Sequence, residues 1–323
     1  MSDHAPILPD AVDITQSGFA AIIGAPNAGK STLTNLLVGT KVAIVTHKVQ
    51  TTRFPIRGVA HDGAAQIVLV DTPGIFRAKK RLDRAMVKAA WSGAEDADAI
   101  VHLIDASAWV AVQQEEATPA QTLSVEDDRR VMETLKETGQ DAYLALNKID
   151  LFAHDNVLPI MAELSAAGVY EEIFMISALN GDGVAPLLKK LAEKMPAGEA
   201  LYPPDQTADL PMRLLAAEIT REKLMLRLHQ ELPYQLMVET ESWEAFDNGS
   251  VRIRQAVIIA REQHKGMVLG KGGSAIKAIG KAAREELTEM LGQTVHLFLF
   301  VKVDPKWMER REAYQSVGLE FDA

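Results

Sequence analysis

"GAPNAGKS", residues 24–31, decides the fold. It fits Gly-x-x-x-x-Gly-Lys-Ser, follows the apolar run "GFAAIIG" directly, and opens the helical pattern "KSTLTNLLV". That context is what phosphate chemistry needs. The glycines let backbone N–H groups curl around phosphates, the lysine reaches the β- and γ-phosphates, the serine hydroxyl ligates Mg²⁺, and the helix N-terminus favours the anion. By residue frequencies the bare pattern arises in roughly one chain in a hundred, so a plain strand-to-helix turn is the weaker reading. The candidate phosphate contacts are Gly24, Ala25, Pro26, Asn27, Ala28, Gly29, Lys30, Ser31 and Thr32.

Working outward, strand and helix patterns alternate to about residue 200. "AQIVLVDT", "DAIVHLIDA", "AYLALNK" and "EIFMISA" read as buried strands between the helical stretches "KRLDRAMVKAAWSGAE", "SVEDDRRVMETLKE", "NVLPIMAELSAA" and "GVAPLLKKLAEK". A mostly parallel sheet covered by helices follows. Three further motifs end strands, where open α/β sheets bind ligands. "DTPG" places Asp71 to hold Mg²⁺ through water and the Gly74 N–H to meet a γ-phosphate. "NKID", with Asn147, Lys148 and Asp150, offers a carboxylate to guanine N1–H and N2–H, which adenine would leave unpaired. "SAL" puts Ser177 at the end of the last strand and the Ala178 N–H where it can read the guanine carbonyl.

The order and spacing of these motifs resemble the translation-factor class of small GTPases. "QTTR", Gln50 to Arg53, then supplies the switch I threonine. By that resemblance Thr52 joins Ser31 and Asp71 around Mg²⁺ in the GTP state, with Thr51 as the alternative. Ras-type proteins carry a glutamine after the Gly74 position to orient the attacking water, and Ile75 cannot do so. Loss of water positioning and of an arginine finger is worth up to about 10⁵ in rate, or about 7 kcal/mol, so hydrolysis is expected to be slow. Packing of the switch is the other role open to Ile75. GTPases with a Gly-x-Pro-Asn-x-Gly-Lys-Ser loop and a hydrophobic residue at the Ile75 position use that asparagine to help bind K⁺. Asn27 is the corresponding candidate, against a role limited to hydrogen bonding within the loop.

"LYPPDQTADLP" breaks the alternation with Pro203, Pro204 and Pro211 and reads as a semi-rigid linker. The expected organisation is a loose tail at 1–16, a GTPase domain at 17–200, a linker at 201–211 and an RNA-binding domain at 212–323. In the last, a helix from about Met212 to His229 precedes "YQLMVETESW" and "SVRIRQAVIIAR", joined as a hairpin by Asp247, Asn248 and Gly249. Then come "GMVLGKGGSAIKAIGKAAR", a helix "SAIKAIGKAAREELTEML" and a strand "TVHLFLFVKV". A lone Gly-x-x-Gly should occur by chance about once in such a chain. In this order of elements it resembles the loop of a prokaryotic-type KH domain, which clamps about four nucleotides of single-stranded backbone. Gly270, Lys271, Gly272 and Gly273 would form the clamp, Lys277 and Lys281 would add cations, and Ile276 and Ile279 would face the core.

A GTPase followed by this tail, over essentially the whole chain, resembles the Era family of bacterial GTPases. "QTTR", "REKL", "ELPY" and "GKGGSAIKAIG" carry the resemblance. It implies an α/β P-loop GTPase domain followed by a smaller α+β KH domain, with GTP or GDP and Mg²⁺ as cofactors. It also implies a switch that hydrolyses GTP, binds the 3′ end of 16S rRNA, acts in 30S subunit assembly, and associates peripherally with the inner membrane. The competing readings are a constitutive RNA tether with a structural nucleotide, and a membrane-signalling GTPase with a KH-like tail.

Composition sets the bounds. The 323 residues, 47% hydrophobic and 24% charged, suggest two soluble domains, and the absence of cysteine excludes disulfides and thiolate catalysis and fits a cytoplasmic protein. "MSDHAPILPDAVDITQSG" has neither a basic n-region nor a long apolar run. A net charge of −10 argues against indiscriminate nucleic-acid coating, yet Arg261, Lys265, Lys271, Lys277, Lys281 and Arg284 face only Glu262 between residues 261 and 284. His47, His61, His102, His264 and His296 show no metal-ligand spacing. Trp243 and Phe246 read as hairpin packing, Asp96 and Asp98 as a solvated lead-in to a strand, and "WVAVQQEEATPAQTLS" (109–124) as a surface insertion.

Overall fold

The computed structural model describes residues 13–152, 154–229 and 232–323, without the side chains of residues 154 and 155. Most of the expected tail, and Glu231 of "ELPY", lie outside the described residues.

The first unit comprises β1 (Gln16–Ile23), α1 (Lys30–Val38), β2 (Ile56–Asp62), β3 (Ala65–Asp71), α2 (Arg81–Glu95), β4 (Ala99–Asp105), α3 (Ala106–Gln113), α4 (Pro119–Thr138), β5 (Ala142–Asn147), α5 (Leu158–Ser165), β6 (Tyr170–Met175) and α6 (Val184–Lys194). The sheet order is β2-β3-β1-β4-β5-β6, with β2 antiparallel to β3 and the other pairs parallel. Every residue of β3 and β5 is buried, as strands covered on both faces must be. β2 is not among the predicted strands, because Arg57, Gly58 and His61 interrupt its apolar pattern. Gly58 is required there, since a Cβ would stand 2.7 Å from Val38 Cγ2.

Residues 109–124 are a surface stretch only in part: Trp109 and Val110 are buried in α3, whereas none of residues 111–124 is buried. Asp105 Oδ1 caps α3 by accepting the Ser107 and Ala108 N–H groups at 3.1 and 3.3 Å, Trp109 is only 3% exposed, and Pro119 begins α4 behind a Thr118–Gln121 capping box. Apolar residues in that stretch pack onto β5 and the segment before α5, which a reading centred on its glutamates and glutamines overlooks. The linker is likewise pinned. Val59 N–H donates to the Thr207 carbonyl at 2.9 Å and Asp209 N–H to the Arg57 carbonyl at 3.0 Å, so the segment covers the edge strand β2.

The second unit contains α7 (Met212–Arg227), β7 (Leu236–Ala245), β8 (Val251–Ile259), α8 (Glu262–Leu269), α9 (Ser274–Leu291) and β9 (Val295–Val303). β7 and β8 form the hairpin, β9 lies parallel to β8, and α7 and α9 bury one face of this sheet. The chain after β9, including α10 (Arg311–Gln315), crosses back to the first unit. Tyr314 and Leu319 join Phe54, Ile56, Ala85 and Met86 in one buried cluster, so residues 304–323 bridge the two units.

Candidate nucleotide and nucleic-acid sites

The loop between β1 and α1 turns on three left-handed residues, Asn27 (φ 63°) and two glycines, Gly24 (143°) and Gly29 (106°). Lys30, 6% exposed, folds over it, with Nζ donating to the carbonyls of Gly24 and Ala25 at 3.0 and 2.8 Å. Burial lowers its pKa to about 8, against the opposing charges of Asp71 and Asp128. Gly74 packs on Pro26, where a Cβ would stand 2.8 Å from Cγ.

Ser31 Oγ donates to Asp71 Oδ2 at 2.7 Å and lies 2.8 Å from Thr52 Oγ1, which lies 3.4 Å from the same carboxylate oxygen. Asp71 Oδ1 is buried without a hydrogen-bond partner, and burial pushes the carboxyl up to about 6 despite the Ser31 hydrogen bond, Lys30 and Thr52. Two hydroxyls and an orphaned carboxylate oxygen fit a small oxygen-seeking cation. Thr51 points elsewhere, with its hydroxyl 2.6 Å from Thr46 Oγ1 and 2.7 Å from the Lys48 carbonyl. Asn27 Nδ2 donates to the His47 carbonyl at 3.1 Å, so its amide ties the loop to switch I. Ile75 is 5% exposed and packs among Ala21, Ile23, Ala90 and Ala94, the packing role allowed for it. A cleft of about 550 Å³ opens beside Asn27, Lys30, Thr52, Gly74 and Lys148.

At the base end, Asn147 is 2% exposed; its Nδ2 donates to the Ala28 carbonyl at 2.7 Å and its Oδ1 accepts the Ala178 N–H at 2.8 Å. The N–H expected to read a guanine carbonyl is therefore held by Asn147, because a buried amide takes the nearest partner. Lys148 (φ 69°) donates to Asp105 Oδ2 at 2.6 Å, Asp150 is exposed, and Ser177 Oγ accepts the Asn180 N–H at 3.3 Å.

The second loop is open at Gly272 and Gly273, whereas a Cβ on Gly270 would stand 2.6 Å from Ala275 Cβ. Gly270, Gly272 and Gly273 have φ of 72°, 61° and 78°, and Lys271, Lys277 and Lys281 are exposed beside them. Ile279 is buried and Ile276 packs against the same core. Trp243 also joins a core cluster, while Phe246 is 41% exposed with the Arg252 guanidinium 5.5 Å from its ring centre. Asp98 is more than a solvated lead-in: its Oδ2 accepts the Phe19 N–H at 2.8 Å. Among the described residues no three His, Cys, Asp or Glu side chains converge as a metal site.

Sequence reasoning missed two sets of residues. Asp128, fully buried, accepts the Ala25 N–H at 3.3 Å and Trp109 Nε1–H at 3.0 Å, with His102 Nε2 at 3.5 Å, and so braces the phosphate loop from behind. Its position on the apolar stripe of Val125, Val131 and Leu135 was the available signal. The other set joins switch I to α7. Arg221, 1% exposed, donates to the Thr51 carbonyl and pairs with Glu218. Glu222 accepts the Val45 N–H at 2.9 Å and pairs with Lys41 at 2.8 Å, and Lys41 also reaches Glu286 of α9 at 2.6 Å. Arg53 donates to the carbonyls of Leu236, Tyr234 and Pro233 at 2.6, 3.1 and 3.3 Å.

Comparison with known proteins places this geometry. Residues 19–148 match the family model described as 50S ribosome-binding GTPase, and residues 231–308 match that of the KH domain. GTPase Era of Maricaulis maris is 60% identical over 94% of this chain and 97% of its own length. GTPase Era of Caulobacter vibrioides is 55% identical over 98% of this chain and 100% of its own. The crystal structure of Era in complex with MgGDPNP and nucleotides 1506–1542 of 16S ribosomal RNA superposes with a TM-score of 0.84 at 38% identity, covering 94% of this chain and 99% of that one. A variant of Aquifex aeolicus Era bound to GDP·AlF4⁻ gives the same TM-score, identity and coverage. Among the described residues no helix is long and apolar enough to cross a membrane. With relatives this similar along nearly its whole length, the chain belongs to the Era family of GTPases.

Proposed function

We propose that this chain is a GTP-dependent RNA clamp acting in 30S subunit assembly in the cytoplasm, with a GTPase domain at 17–200, a linker at 201–211 and a KH domain at 212–323. The loop Gly24–Thr32 and the Gly74 N–H hold the phosphates. Ser31, Thr52 and Asp71 hold Mg²⁺, Thr51 serving instead to anchor switch I. Asn147, Lys148, Asp150, Ser177 and Ala178 form the guanine end, where Asn147 must yield the Ala178 N–H to the base. A bound Mg²⁺ neutralises part of the triphosphate charge. The chain's own residues position the phosphates and exclude the wrong base. No side chain at position 75 orients water, which supports slow intrinsic hydrolysis.

Gly270, Lys271, Gly272 and Gly273, with Lys277 and Lys281, grip the single-stranded 3′ end of 16S rRNA. The Era structure holding MgGDPNP together with 16S rRNA nucleotides 1506–1542 supports this reading. One observation favours a switch over a constitutive tether: switch I is bonded directly to α7, through Arg221 to the Thr51 carbonyl and Glu222 to the Val45 N–H. A nucleotide that moves switch I must then strain or relieve contacts with the KH domain.

The test is the affinity for an oligonucleotide of that 3′ end, at one stated salt concentration, with the protein loaded with a non-hydrolysable GTP analogue or with GDP. Tighter binding with the analogue supports the switch. Equal tight binding leaves a constitutive tether, and no binding in either state leaves the peripheral inner-membrane GTPase. Gly272→Asp places an anion in the clamp and should abolish RNA binding while GTP binding persists.

A further inference from the structure

A cavity of about 230 Å³ lies where the two units meet. Its walls come from segments far apart in sequence: Arg53 and Phe54 before β2, Arg221 of α7, Met237 of β7, and Trp307 and Tyr314 after β9. It meets solvent beside Arg213, Glu239 and Ser316, which line it and are exposed. None of its lining residues belongs to the nucleotide cleft or to the loop 270–273.

Two donors on these walls are unpaired. Arg53 is 7% exposed; its Nη1 and Nη2 are committed to the Leu236, Pro233 and Tyr234 carbonyls, and its buried Nε has no hydrogen-bond partner. Trp307, 5% exposed, has its indole Nε1 in the same condition. The Arg53 guanidinium carbon lies 6.0 Å from the centre of the Trp307 ring, so one small molecule can reach both. A buried donor without a partner is rare in a native structure and calls for an acceptor.

Charge points the same way. Arg221 is matched by Glu218, whose Oε1 accepts its Nε–H at 2.7 Å, whereas Arg53 meets only carbonyls. Among the residues lining the cavity, Arg53, Arg213 and Arg221 outnumber Glu218 and Glu239 by one. Burial, and then Arg221, lowers the Arg53 pKa to about 9, against the opposing pull of Glu218. One negative charge and two acceptor atoms would complete the site. A carboxylate supplies both, while a phosphate dianion would leave oxygens unpaired among the apolar walls. At roughly 30 Å³ per water, the cavity has room for about eight waters or a molecule of about ten non-hydrogen atoms. We propose that this cavity binds a small monocarboxylate with an apolar body, whose carboxylate accepts the Arg53 Nε–H and the Trp307 Nε1–H. Its occupation bears on switch I, because Arg53 follows Thr52 directly and Arg221 donates to the Thr51 carbonyl. That coupling rests on the nucleotide reading above; the site itself does not.

The probe is 4-fluorobenzoate, added to the full-length ¹⁵N-labelled protein in saturating Mg²⁺ and GDP so that the phosphate loop is filled. The chain has four tryptophans, and the indole N–H signal of Trp307 is the one that Trp307→Phe removes. That signal should move saturably, with a Kd on the order of 1 mM or tighter, while those of Trp91, Trp109 and Trp243 stay in place. 4-Fluorobenzamide lacks the charge and inorganic phosphate lacks the apolar body, so each should bind at least about tenfold more weakly. By ¹⁹F titration, Trp307→Phe should weaken 4-fluorobenzoate about three- to tenfold through the loss of one hydrogen bond. Ala313→Leu, which fills the cavity from α10, should abolish binding with the other indole signals unchanged. Affinities with GDP and with a non-hydrolysable GTP analogue should differ at least about threefold. No saturable movement of the Trp307 signal up to about 20 mM would overturn the site. So would equal binding of the amide, or parental affinity in Ala313→Leu. Equal affinities in the two nucleotide states would overturn the coupling. Failure of the nucleotide reading is separable: the protein would then bind neither nucleotide, and the Trp307 signal would still report on the cavity.

Discussion

At residues 24–31 a Cβ on Gly24 would stand 2.1 Å from the Leu103 carbonyl oxygen and one on Gly29 2.3 Å from the Asn147 amide, whereas at residues 270–273 a Cβ on Gly272 would meet nothing within 4 Å. The cations differ in the same sense, Lys30 being buried and Lys271 exposed. Both loops use left-handed glycines, so the local conformation is shared and the surroundings are not. A small triphosphate needs donors held rigidly by a packed core behind them. A polymer backbone needs an open surface along which neighbouring phosphates continue, and the second loop leaves Gly272 and Gly273 uncovered, with Gly270 alone packed closely, against Ala275.

The sharpest way to break this contrast is a matched pair of alanines. Gly24→Ala should destabilise the protein by at least about 3 kcal/mol, because the clash is with backbone and adds to left-handed strain, and should abolish binding of fluorescent GDP. Gly272→Ala carries only the strain, about 1 kcal/mol, and should weaken RNA binding no more than about fivefold. Similar losses in urea unfolding would erase the distinction.

The next largest effect concerns how the two loops communicate. Replacing Arg221 alone leaves Glu218 as an unpaired buried charge, which costs about 3–5 kcal/mol, so Arg221→Met is combined with Glu218→Gln. RNA affinities measured with a GTP analogue and with GDP should then converge to within about twofold, with nucleotide affinity little changed. A persistent difference would show that coupling bypasses α7.

Titration separates the buried site from the open one more gently. The Asp71 pKa, raised to about 6 by burial, lies above its ordinary value of 3.8, so the stability this group contributes is present below the ordinary value and lost as pH rises through about 6. The Lys30 pKa, lowered to about 8, lies below its ordinary value of 10.5, so its contribution is lost as pH falls through about 8. Nucleotide-free Asp71→Asn should therefore exceed the parent in stability at pH 7.5, with the gap closing towards pH 4. Mg-nucleotide affinity should peak between these two pKa values, and the RNA loop alone should show no such window. A gap that does not close on acidification would mean that Asp71 is not held against its charge.

The smallest expected effect concerns Asn27, whose amide bridges to switch I. Turnover in KCl should exceed that in NaCl several-fold at matched ionic strength, and Asn27→Ala should remove the difference. Equal rates would leave Asn27 with a bridging role alone.

Much of this was legible because it is local. The phosphate loop, "DTPG", "NKID" and the helix from Ser274 to Leu291 are runs of consecutive residues whose turn chemistry and apolar spacing dictate their conformation. β2 was lost because Gly58 and two polar residues break its alternation. α3 was lost because glutamines and glutamates hid a buried tryptophan. Asp128, within the helical stretch "SVEDDRRVMETLKE", was given no role, although it lies on the buried stripe of α4.

The sequence by itself determined the left-handed glycine loops and the strand ends proposed to carry phosphate, base and backbone contacts, since those properties belong to short segments. Only the tertiary structure decided that Thr52 rather than Thr51 meets Ser31 and Asp71, that the Ala178 N–H is held by Asn147, and that switch I is bolted to α7. Arg221 and Thr51 are separated by 170 positions, and Lys41 and Glu286 by 245. Periodicity reports the face a helix turns towards its own core, but a charged residue buried by a second domain reads in sequence as a residue facing water.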